Sequence, residues 1–170
     1  MGRTASAANR HRAQARAPGQ LLAFGLLALA AGALVYATSR DPARVALMPA
    51  ALRLDAWPWR VGAWAGWLPS FCHPLAFSLF SAALLPRGAR SAFAACAGWW
   101  VLNLAFEFAQ HPALSHRIAE ALSGLGPAGG SGALAGYLVN GTFDPADLAA
   151  ATAGALVAAV LVRRTAPVES

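Results

Sequence analysis

The chain has 170 residues, 58% of them hydrophobic and only 12% charged, with a mean hydropathy of +0.49. Soluble domains are roughly 45–50% apolar and about 25% charged, so this composition excludes an ordinary water-facing coat, and it is too apolar for a disordered chain. The net charge of +6 arises from thirteen basic residues, all Arg, set between apolar runs rather than in a reading patch, which argues against a nucleic-acid partner.

Residues 1–18 carry Arg3, Arg10, His11, Arg12 and Arg16 among small residues, with no apolar period. A disordered basic tail is expected there. A charge-free stretch over 17–39 follows, and 20–38 is the first expected span. At 1.5 Å per residue it can cross a hydrocarbon core of ~30 Å. Its apolar run is longer than the roughly 7–15 residues of a signal-peptide h-region, which favours a retained helix over a cleaved leader.

Residues 40–60 bring back Arg40, Asp41, Arg44, Arg53, Asp55 and Arg60, with three prolines. Trp57, Trp59, Trp64 and Trp67 gather at the end of this loop. Trp favours the membrane–water boundary, where its ring is buried and its N–H stays wet, so the cluster reads as an interfacial shelf. The rival reading is a platform on which a sugar or ligand stacks.

The second expected span covers 69–86. Pro69 fits a first helical turn, where its missing N–H goes unused, and Pro74 sets up a kink. Arg87 and Arg90 flank a short turn at Gly88, and the third span, 91–110, ends before Pro112. Residues 121–143 are charge-free but hold seven Gly and Pro127. Each Gly costs about 1 kcal/mol in a helix relative to Ala, so a flexible loop is expected, preceded by a short helix over 114–122. The last span, 145–162, opens at Asp144-Pro145 and ends at Arg163 and Arg164. It is mostly Ala, whose small side chains permit close helix packing.

The expected fold is therefore all-α, an integral membrane bundle of about four transmembrane helices. A transmembrane domain over 19–163 lies between the basic tail and a short C-terminal tail, 164–170. Four spans put both termini on one side, which holds eight Arg against five in the opposite loops. By the positive-inside rule the termini are cytoplasmic. Cys72 and Cys96 both sit inside apolar runs and read as small packing residues rather than a disulfide.

Glu107 is the acidic residue placed inside a span. A charge such as Asp at mid-helix costs about 2.5–3.5 kcal/mol even on insertion scales, and less near a helix end. Asn103, Glu107 and Gln110 are spaced i, i+4, i+7 and share a helical face, which His111 can extend. Such a stripe is either a polar seam that fixes helix packing or a ligand or proton-linked site. Asp144, Pro145 and Asp147 form a good helix start, with Asp at the N-cap and N3 and Pro at N1. Their carboxylates also complement the positive end of the helix dipole. His73, beside Cys72, is the other polar intruder. No H-x-x-x-H, C-x-x-C or H-E-x-x-H spacing occurs, and neither G-x-S-x-G nor a phosphate-binding Gly loop appears. No catalytic residue, metal set or cofactor is assigned.

The succession Leu68-Pro69-Ser70-Phe71-Cys72-His73-Pro74, then Asn103, Glu107 and Gln110, then Gly141-Thr142-Phe143-Asp144-Pro145-Ala146-Asp147-Leu148 and Gly154 resembles the VanZ-like family of small bacterial multispanning proteins. The resemblance covers roughly 68–162. Many members carry an Arg shortly before the Asp pair and an Asn one turn after the second Asp. Here those places hold Asn140-Gly141-Thr142-Phe143 and Ala151. The resemblance implies a bacterial inner-membrane protein with a cell-envelope role and no settled molecular activity. The candidate ligand cluster is His73, Asn103, Glu107, Gln110, Asp144 and Asp147. Its expected partners are the bilayer, envelope lipids or precursor head groups, or another membrane protein. The alternatives are a membrane enzyme using Glu107 or an Asp as general base with His73 beside it, and a structural subunit whose polar seam only sets packing.

Overall fold

The computed structural model describes residues 2–39, 65–85, 89–124 and 129–165. The expected interfacial shelf at Trp57, Trp59 and Trp64 lies outside them. Six helices follow in chain order: α1 (Gly2–Ser39), α2 (Leu68–Leu84), α3 (Ala89–Ala109), α4 (Pro112–Ser123), α5 (Gly129–Asn140) and α6 (Pro145–Thr165). No strand occurs among the described residues. Three stretches are long and apolar enough to cross a membrane: Pro18–Thr38, Arg90–Ala109 and Pro145–Thr165.

Two expectations change. The tail expected to be disordered is helical from Gly2, so the 38 residues of α1 measure about 57 Å, nearly twice a hydrocarbon core. Ala and Arg are strong helix formers, and that preference outweighs the missing apolar period. Residues 129–140, expected in a loop, form α5 despite four glycines. This helix packs along α4, and its Tyr137 ring meets Phe106 of α3 edge to face at 6.3 Å. Tertiary packing offsets the weak propensity. The expected short helix over 114–122 is α4. Its N-cap is His111, whose Nδ1 accepts the Ala113 N–H at 3.3 Å, with Pro112 in the first turn.

The helix α2 is apolar but only 17 residues long. It is nevertheless central, packed by α1, α3 and α6, and it buries Cys72, Pro74, Leu75, Ala76, Ser78 and Leu79. Glycines make the close approaches. On α1, Gly25 faces the Phe80 ring and Gly32 faces Cys72, a pairing that runs the two helices antiparallel. On α6, Gly154 lies directly on the Phe71 carbonyl. Small residues at a membrane interface let backbones meet in this way. Both cysteines are buried as free thiols.

The core joins Leu21, Leu79, Ala92, Cys96, Ala158 and Val162. These residues come from the start of the apolar half of α1, the later half of α2, the start of α3 and the later half of α6. The core therefore lies toward one end of the bundle. The N-terminus of α2, the C-terminus of α3 and the N-terminus of α6 meet at the other end. The polar residues picked out by sequence are carried there.

Candidate functional site

The helices α3 and α6 run antiparallel in a single register. The Trp100 indole N–H donates to Thr152 Oγ1 at 3.0 Å. Seven residues further along α3, Glu107 Oε1 accepts the backbone N–H of Asp144 at 2.8 Å. This second bond ties the last turns of α3 to the N-terminus of α6. Carbonyls left over at a helix C-terminus repel a carboxylate, whereas a helix N-terminus attracts one. Glu107 thus reaches from an unfavourable position on its own helix to a favourable one on the next.

The linker 141–144 crosses the end of α3 and is shaped by two contacts. Gly141 lies against the Gln110 side chain so closely that a Cβ there would overlap the amide. Phe143 packs against Phe108, with centroids 5.9 Å apart, and against the edge of His111 at 5.0 Å. Asp144 then caps α6. Its Oδ1 accepts the Ala146 N–H at 2.8 Å, and its carbonyl accepts the Asp147 N–H at 2.9 Å. The helix start read from Asp144, Pro145 and Asp147 is present in full.

Gln110 and Asp147 are buried, each 8% exposed, while Asp144 is exposed. Buried polar groups are ordinarily paired, and an amide brings two donors and an acceptor oxygen. The Gln110 amide, against Gly141, adds such groups to the end of α3 where Glu107 meets the start of α6.

The structure brings together Glu107, Gln110, Asp144 and Asp147. It places the other two candidates differently. Asn103 turns back onto its own helix, with Nδ2 donating to the Trp99 carbonyl at 2.7 Å. His73 is half-buried near the start of α2, at the same end of the bundle. Its ring stacks on Phe77 at 6.3 Å, and Phe77 stacks in turn on Trp99 at 4.7 Å. His111 leaves the stripe to cap α4. Among the described residues, no three His, Cys, Asp or Glu side chains are grouped to hold a metal ion.

Sequence reasoning passed over two features. The first is the Trp100–Thr152 pair, although Thr152 stands out as a hydroxyl in the Ala-rich body of α6. The second is Ser78, fully buried in α2 with its hydroxyl against the Cys96 thiol, at best a weak hydrogen-bonding partner. An apolar-run reading does not reveal a hydroxyl packed on a thiol.

The chain matches no family model, no curated protein and no solved structure.

Proposed function

We propose that this chain is a VanZ-like inner-membrane protein that binds the polar head group of a lipid or cell-envelope precursor at the junction of α3 and α6. The observation that carries this reading is the Glu107–Asp144 bond, which ties the end of α3 to the start of α6 beside the buried Gln110. Both lie at the ends of helices long and apolar enough to span a bilayer.

The same reading makes α2 a fourth span. Its 17 residues measure about 25 Å, at the short end of what spans a bilayer, and its central position lets α1, α3 and α6 shield its ends. The exposed Arg90, Arg163 and Arg164 lie at the end opposite Glu107. The positive-inside rule then sets both termini in the cytoplasm and the cluster at the outer face of the membrane.

The test is lipid competition on the purified full chain, read by native mass spectrometry. The probes are phospholipids with ethanolamine, glycerol or serine heads and identical oleoyl chains. The wild type is expected to retain one head group in preference. Gln110→Ala and Glu107→Gln are expected to bring the three toward parity. A wild type without preference, or variants that keep it, would overturn the proposal.

A further inference from the structure

We infer that the furrow between α3 and α6 seats one acyl chain of a membrane lipid, whose polar end reaches the Glu107–Gln110 cluster. The position of that polar end rests on the head-group reading above; the chain's seat rests on the furrow itself.

The furrow has a volume of about 390 Å³, within the range of about 300–1,000 Å³ typical of small-molecule sites. Its floor is made of small buried residues, Cys96 and Ala155, and its rims are the exposed Phe93 and Leu156. The alternation of small floor and large rim produces a trough rather than a flat helix face. At its upper end stand Trp100 and Thr152, which carry its side-chain nitrogen and oxygen atoms. Both are already satisfied. The indole N–H donates to the Thr152 hydroxyl, and that hydroxyl donates to the Leu148 carbonyl at 2.8 Å. The lining asks for no further hydrogen bond, and apolar cavities of this kind stay dry.

The surrounding medium then names the occupant. Both walls are membrane-spanning candidates, and α3 is the least covered of the three. A furrow on that surface opens into hydrocarbon. It also points along the same two helices toward the polar cluster. The step from the Trp100–Thr152 pair to the Glu107–Asp144 pair is seven residues on α3 and eight on α6, about 10–12 Å. One ligand with an apolar tail and a polar end matches both features; a wholly apolar or a wholly polar ligand matches one.

The test is photolabelling of the full chain in phosphatidylcholine vesicles containing a trace of phosphatidylcholine with a mid-chain diazirine, with adducts mapped by mass spectrometry. Phe93 and Leu156 are expected to be labelled about tenfold above Leu26 and Leu27 of α1, the ratio given by a preference of about 1.4 kcal/mol. Leu26 and Leu27 are a fair reference because they are 60% and 67% exposed. Filling the trough with Ala97→Phe and Ala159→Leu is expected to bring the ratio near parity while α1 labelling is unchanged. Parity in the wild type would overturn the inference. Cross-links between copies across the furrow would overturn it as well, assigning the trough to a second molecule of this chain. Enriched furrow labelling without head-group preference sustains the chain's seat and removes the head-group reading. Parity at the furrow with head-group preference intact removes the acyl chain alone.

Discussion

Replacing Gly154 by Ala adds one methyl group where α6 crosses α2. The new Cβ overlaps the Phe71 carbonyl oxygen and stands 3.0 Å from its carbonyl carbon. These are backbone atoms of a helix, so no rotamer change relieves the clash; one helix must move as a body. Overpacking typically costs 1–3 kcal/mol, and a backbone obstacle places this site near about 3 kcal/mol. The gain in helix propensity from Gly to Ala returns about 1 kcal/mol, leaving a net loss of about 2 kcal/mol. Gly98 on α3 supplies the control. It is exposed, and nothing lies within 4 Å of a Cβ there, so Gly98→Ala receives the propensity gain without the clash. The two variants should differ by about 3 kcal/mol in unfolding by SDS titration from mixed micelles, followed by far-ultraviolet circular dichroism. Stabilities agreeing within about 0.5 kcal/mol, the usual scatter of neutral surface changes, would refute the packing of α2 on α6 described above.

Three further outcomes follow from single contacts. Glu107→Ala leaves the Asp144 N–H without its carboxylate acceptor, which should cost about 1 kcal/mol and speed amide exchange over 141–147, while Glu107→Gln retains an oxygen and should stay close to wild type in both. Ser78→Ala removes a fully buried hydroxyl whose neighbour is the weakly bonding Cys96 thiol and should shift stability by no more than about 1 kcal/mol in the same SDS titration; a larger loss would mean that Ser78 has a stronger partner. Thr152→Val orphans the Trp100 indole N–H and should cost about 0.6–1.7 kcal/mol, the span measured for hydrogen bonds between membrane helices.

The sequence made the spans and the ends of the cluster legible for different reasons. Long charge-free runs have few physical solutions in a chain this apolar, which is why 20–38, 91–110 and 145–162 fall on helices. The Asp144–Asp147 start was legible because capping is local chemistry. The face shared by Glu107 and Gln110 was legible because helical spacing is fixed. Asn103 shares that spacing but satisfies itself on Trp99, a choice of rotamer that spacing does not encode. The helix over 129–140 was hidden because glycine propensity argues against it, and the packing that favours it comes from α4 and Phe106. The furrow was hidden for a similar reason: it exists between two helices, and only their register aligns Cys96 and Ala155 as its floor.

The central claim is a membrane-embedded bundle whose polar cluster opens at the outer face. Single cysteines in a Cys72→Ala, Cys96→Ala chain test it most directly, using an impermeant maleimide on spheroplasts. Thr142 is exposed on the linker beside Glu107, Gly98 is exposed midway along α3, and Arg164 is exposed at the end of α6. The account predicts that Thr142→Cys is labelled from outside. Gly98→Cys should stay unlabelled in the bilayer, and Arg164→Cys should react only after the membrane is opened. Labelling of Gly98→Cys in intact spheroplasts would contradict the span, and labelling of Arg164→Cys but not Thr142→Cys would contradict the outward-facing cluster.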